Sequence, residues 1–120
     1  MKTTIIIFFT SITLLLMTVF TKASAQETIA EIKIKTSATC SMCKETIEKH
    51  LAFEKGVKKS NLDVESKILT VIYNPKKTAP EKIRTAVSKS GYDADDVKAD
   101  VKAFNNLEDC CKKGKVCKEK

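Results

Sequence analysis

Apolar and charged positions alternate cleanly after residue 28. Ala30, Ile32 and Ile34 fall on one side, Glu31, Lys33 and Lys35 on the other. A period of two with one charged face predicts a half-buried strand over 28–35. Residues 36–39 are small and polar, and the period then changes. Cys43, Ile47, Leu51 and Glu54 recur at helical spacing, with Ser41 as the expected N-cap, Lys55 in the last turn and Gly56 as the stop. Leu62 and Val64 alternate against Asn61 and Asp63, so 57–64 reads as a strand. Glu65-Ser66-Lys67 reads as a turn and Ile68–Tyr73 as the strongest strand, together a hairpin. Asn74-Pro75 breaks that strand because proline offers no ladder donor. Pro80 suits the first turn of a second helix, whose apolar stripe is Ile83, Ala86 and Val87 and whose end is Gly91.

Strand, helix, strand, strand, helix needs one more strand to complete a split βαβ, or ferredoxin-like, α+β arrangement of βαββαβ order. The sequence supplies only a weak candidate near 95–99, after an acidic stretch. A short helix is expected after Asp100, a good N-cap. The competing reading is one continuous helix, since Val97, Val101, Phe104 and Leu107 have near-helical spacing. From Glu108 onward the chain is polar and lysine-rich and carries Cys110, Cys111 and Cys117. No packed fold of its own is expected there.

The first 25 residues have a different character. Lys2 precedes two apolar runs, Ile5–Phe9 and Leu14–Phe20, and Ala23-Ser24-Ala25 follows. This is the pattern of a secretory signal cleaved after Ala25, and a retained membrane anchor is the alternative. The organisation read from sequence is therefore a signal peptide at 1–25, a domain at 26–99, and a short helix with a cysteine- and lysine-rich tail at 100–120. Cleavage would remove Lys2 and Lys22 and no acids, lowering the net charge from +7 to +5. Basic residues alternate with acidic ones, and the chain is expected in the periplasm. Nucleic-acid binding is therefore set aside in favour of a solvated charged surface. A domain of this size has little core from which to build a deep catalytic cleft. No nucleophile–base set, phosphate loop or paired carboxylate pattern is evident, and no enzymatic activity is expected. Asp93, Asp95 and Asp96 lack the spacing of a calcium loop.

The chemistry concentrates in the cysteines, whose count is odd at five. Cys40 and Cys43, in Thr39-Cys40-Ser41-Met42-Cys43, sit where a strand ends and a helix begins. That spacing can aim both sulfurs at one point, and a helix N-terminus favours thiolate, the metal-binding form. Two thiolates suit a soft ion in an open site, whereas structural zinc usually takes four ligands. The same pair also fits thiol–disulfide exchange or an inert disulfide. The hairpin after the first helix, the absence of tryptophan and the lack of Gly-Pro between the cysteines weigh against a thioredoxin-like protein.

The stretch Ser37–Cys43, then Ile47, Leu51 and Gly56-Val57, then Leu69–Pro75 and Gly91-Tyr92, resembles the heavy-metal-associated domain family. This is a family of copper chaperones, ATPase metal-binding domains and mercuric-ion binders. The resemblance covers about residues 28–99. It implies that Cys40 and Cys43 bind a soft metal, Cu(I) or Hg(II) first and Zn(II) next. It also implies thiolate exchange with a metal transporter or another metal-binding domain, by a chain expected to be monomeric with no membrane anchor once the signal is cleaved. Two departures stand out. Ala38 occupies the place of a methionine that usually packs beneath the loop, and the fourth strand is weak. Met42 is a minor candidate ligand. Tyr92 matches a position near the metal loop and reads equally well as a core-edge tyrosine. His50, about two turns beyond Cys43 and thus ~10 Å away, is too distant to share an ion. For Cys110, Cys111 and Cys117 the readings are a disulfide of Cys110 or Cys111 with Cys117, a second thiolate cluster, or extra ligands folded back onto Cys40 and Cys43.

Overall fold

The computed structural model describes residues 27–113. The expected signal segment and Cys117 lie outside the described residues. Strand β1 spans Ala30–Lys35, helix α1 Ser41–Ala52, strand β2 Val57–Asp63, strand β3 Ile68–Tyr73 and helix α2 Pro80–Lys89. Two short helices follow, α3 at Val101–Asn105 and α4 at Asp109–Lys113. Among these, no helix is long and apolar enough to cross a membrane.

The sheet is antiparallel in the order β1-β3-β2. The most apolar strand is thus the central one. Leu69, Val71 and Tyr73 of β3 point into the core with Ile34 of β1 and Leu62 of β2. Cys43, Ile47 and Leu51 of α1 and Ile83, Ala86 and Val87 of α2 meet them from the helical layer. This is the two-layer α+β sandwich that the two periodicities require.

Both outer strands have outward backbone groups that residues outside the sheet satisfy. On β2, the Leu62 N–H donates to Glu48 Oε1 at 2.7 Å and its carbonyl accepts from Lys44 Nζ at 2.8 Å, which ties α1 to that edge. On β1, the Lys35 carbonyl accepts the Asp95 N–H at 2.8 Å, and the Lys35 N–H donates to Asp95 Oδ1 at 2.8 Å. Here the weak fourth strand needs correction. Residues 95–99 form no ladder, and only isolated bridges, Thr36 with Ala94 and Ala94 with Val97, mark its place beside β1. The reason lies at Asp95, whose side chain is engaged by a partner 60 residues away. Asp95 has φ 54, which turns the chain out of the extended region, and its side chain replaces the next backbone partner. The single-helix alternative also fails. The 93–100 segment is held to α2 by Ser88 Oγ donating to the Lys98 carbonyl (2.6 Å) and by the Asp100 N–H donating to the Ser88 carbonyl (3.0 Å). Helix α3 then begins where expected, with Asp100 Oδ1 accepting the Ala103 N–H at 2.8 Å.

Two helix boundaries also differ from the sequence reading. Helix α1 is capped by Cys40, and Ser41 is its first residue. It ends at Ala52, where the Phe53 and Glu54 N–H groups turn back three residues to the carbonyls of His50 and Leu51. Gly56 serves the next turn instead. Its φ is +91, and a Cβ there would lie 2.9 Å from Thr78 Cγ2. The tail also departs from expectation. Leu107 and Cys110 pack against the core cluster, and Cys111 joins it at 8% exposure.

Candidate metal centre

Cys40 has extended backbone angles, φ −152 and ψ 170, and its Sγ accepts the Cys43 N–H at 3.4 Å. The first thiol therefore does the capping work normally given to an oxygen, meeting one orphan donor of α1. Cys43 lies on the inward side of the first turn and is fully buried. The loop before it is braced at several points. Thr36 Oγ1 donates to the Lys67 carbonyl and accepts the Ala38 N–H, and Ser37 Oγ accepts the Asp93 N–H at 3.0 Å. Ala38 is fully buried beneath the loop.

The Cys40 and Cys43 sulfurs are 2.8 Å apart. Two sulfurs each about 2.3 Å from one ion lie about 3.8 Å apart in a tetrahedral site and about 4.6 Å apart in a linear one. The pair fits an ion after opening by about 1–2 Å. Cys40, which is partly exposed, is the half with room to move.

Two further thiols lie at this loop. Cys111 Sγ is 3.8 Å from Cys40 Sγ and 3.9 Å from Cys110 Sγ. The sulfurs of Cys40, Cys110 and Cys111 all lie within 4.8 Å of one another. None of the four described cysteines is in a disulfide. Tyr92 is 1% exposed, and its hydroxyl finds no hydrogen-bond partner of good geometry among the described residues. Its polar neighbours are the Cys111 and Cys43 thiols. Burial, reinforced by those sulfurs, pushes the phenol well up. Burial likewise pushes the Cys111 thiol up, opposed by the Tyr92 hydroxyl and helped by Cys43 and Cys40. Tyr92 therefore satisfies both sequence readings, as a core residue and as a wall of the thiol cluster. Of the minor candidates, Met42 is 39% exposed, and His50 is exposed and outside the cluster.

A family model described as the heavy-metal-associated domain matches residues 34–93. The chain belongs to the heavy-metal-associated domain family. The match ends before α3, so Cys110 and Cys111 lie beyond it. Over 56 residues the chain is 39% identical to Copper-transporting ATPase 1 of Rattus norvegicus, an alignment covering 47% of this chain and 4% of the ATPase. The chain thus spans a small fraction of the curated relatives it matches. Among solved structures, the water-soluble region of the P-type ATPase CopA from Bacillus subtilis is 32% identical with a TM-score of 0.54, covering 57% of this chain and 46% of that one. Oxidized MerP from Ralstonia metallidurans CH34 is 25% identical with a TM-score of 0.54, covering 56% and 94%. As a heavy-metal-associated domain with a Cys-x-x-Cys loop, the chain has a metal-binding fold suited to soft ions. The sequence reading took the first thiol pair as the site. The spacing of Cys110 and Cys111 in the sequence did not reveal which of three roles they take.

Proposed function

We propose that this protein is an exported, non-catalytic metal carrier. Cys40 and Cys43 bind a soft ion, Cu(I) or Hg(II) ahead of Zn(II), and the monomeric protein sequesters it or passes it to a metal transporter or another metal-binding domain. The observation that carries this reading is the pair of sulfurs, one capping α1 and one in its first turn, at the loop of a heavy-metal-associated fold. The cargo moves by ligand exchange. An incoming partner thiolate bonds to the ion as one of this chain's sulfurs leaves, and no electron is transferred. Partly exposed Cys40 is the sulfur placed to leave first, while buried Cys43 stays. Similarity to copper-transporting ATPases supports a transporter as partner, and the signal-like segment at 1–25 supports the periplasm.

Metal analysis of the purified, reduced protein, with competition among Cu(I), Hg(II) and Zn(II), tests this reading. One tightly held soft ion per chain is expected, and it should be lost in Cys40→Ser/Cys43→Ser. Full Cu(I) and Hg(II) affinity in that variant would sink the reading. The 2.8 Å sulfur separation also favours a second reading, thiol–disulfide exchange, since so close a pair needs little movement to bond. That reading predicts catalysed disulfide reduction and a trapped mixed disulfide on one single-cysteine variant.

A further inference from the structure

We propose that Cys110 and Cys111 are ligands to the same ion as Cys40 and Cys43, so that the tail closes the open two-thiolate loop into a polythiolate site. The inference rests on the proposed binding at Cys40 and Cys43 and extends it. Cys111 and Cys110 follow α3 at the start of α4, more than 65 residues from the loop, and yet converge on it. The separations from Cys111 to Cys40 and to Cys110, 3.8 and 3.9 Å, match the ~3.8 Å expected of two sulfurs sharing a tetrahedral ion. These two distances need no adjustment, whereas Cys40 and Cys43 must part. A disulfide between Cys111 and Cys40 or Cys110 would instead require the sulfurs to close to about 2.05 Å.

The tail is positioned by the fold. Gly91 leaves room for Leu107, which packs on the core cluster two residues before α4 begins. The Cys111 N–H donates to the Glu108 carbonyl at 2.9 Å, which sets the first turn of α4 with Cys111 inward. Among the described residues, the inward thiol faces Tyr92, the loop sulfurs and Cys110. A buried sulfur facing other sulfurs is matched to a thiophilic ion better than to any hydrogen-bonding ligand.

Two consequences follow for the kind of ion. Two thiolates alone serve linear coordination, whereas three or four admit ions of tetrahedral habit such as Cd(II) and Zn(II) beside the softest ions. Release to a partner would also require the tail sulfurs to let go, which shifts the protein from transfer toward retention.

The experiment is X-ray absorption at the metal edge of the reduced full-length protein loaded with Cd(II). It is paired with chelator competition for Cd(II) affinity. The wild type should hold one Cd(II) per chain with three or four sulfurs. Cys110→Ser/Cys111→Ser, made in a Cys117→Ser background so that this thiol cannot substitute, should fall to two sulfurs. Its affinity should drop by about tenfold or more, since even groups that only orient a ligand cost that much. Cys110→Ser alone alters a partly exposed residue and leaves buried Cys111 in place, so folding is spared. It should lose one sulfur while the metal-free protein unfolds at the wild-type temperature. Unchanged sulfur count and affinity in the double variant, or two ions per wild-type chain, would overturn the proposal. Loss of binding in Cys40→Ser/Cys43→Ser together with an unaffected tail variant would leave the two-thiolate reading standing and remove only this one.

Discussion

The two thiol pairs of this molecule are built in opposite ways. Cys40 and Cys43 belong to the body of the domain. One caps α1, the other is a core residue, and the loop before them is bonded to the β2–β3 turn and to the segment after α2. Cys110 and Cys111 sit on a five-residue helix, and the tail that carries it meets the core through Leu107, Cys110 and Cys111. The first pair is positioned by the fold's whole hydrophobic layer and the second by a few contacts at its rim. Such a difference divides labour. The loop pair keeps its place in the body and needs only to part by about 1–2 Å around an ion, while the tail pair can dock and undock at small cost, because undocking a short peripheral segment is opposed by little burial.

The sharpest way to test that division is to damage the body and watch the tail. Leu69→Ala removes a fully buried side chain from the central strand and should cost about 2–5 kcal/mol in unfolding free energy. Chemical denaturation of the metal-free protein measures it. The loss should be the same, within about 0.5 kcal/mol, whether or not Cys110→Ser/Cys111→Ser is present. Strong non-additivity would mean that the tail is part of the cooperative core and would dissolve the distinction between the pairs.

Gly91→Ala acts at the hinge between the two regions and should have a smaller effect. Gly91 has φ +98, and an added Cβ would lie 3.0 Å from Leu107 Cδ1 and 3.2 Å from the Ala103 carbonyl carbon. Strain of this kind costs about 1–3 kcal/mol, read as a lower unfolding midpoint. Because the clash falls on the residue that anchors the tail, metal affinity should also move toward that of the Cys110→Ser/Cys111→Ser variant. A normal affinity with reduced stability would show that Leu107 does not position the tail thiols.

The body was legible in the sequence because its positions repeat. Ile34 and Ile32 against Lys33 and Lys35, Leu69 and Val71 against Thr70, and Ile83 with Val87 each declare a period, and the strands and helices follow those periods. The boundaries were less legible. Ser41 reads as a better cap than Cys40 by hydrogen-bonding chemistry, but at this loop the thiol takes the cap because its backbone is the extended one. Asp95 could not be read as a strand breaker, since its left-handed turn depends on a partner 60 residues away. The first thiol pair stood out by spacing on a strand–helix junction. The second did not, because a polar tail with three apolar anchors has no period and its contacts to Cys40 are wholly tertiary.

The smallest expected effect concerns Asp95, which pins the segment leading from α2 to the tail. Its carboxylate accepts from Arg84 Nε at 2.8 Å and from the Lys35 N–H at 2.8 Å. Chiefly the Arg84 hydrogen bond, aided by the Lys35 N–H and by the Arg84 charge and opposed by desolvation, lowers its pKa from the ordinary 3.8. The folded protein thus holds this proton less tightly than the unfolded chain. The stabilisation is complete above the ordinary value and fades as pH falls through the lower folded one. Asp95→Asn tolerates the left-handed backbone and can still accept the Lys35 N–H, so it removes mainly the charge. Both side chains are a quarter to a third exposed, so the variant should lose only about 0.5–1 kcal/mol near neutrality. That gap should close in acid and shrink with added salt, as followed by thermal unfolding across a pH series. A gap that persists below the folded value would assign the loss to the backbone turn itself. The joint between body and tail would then depend on shape, with the ion pair only accompanying it.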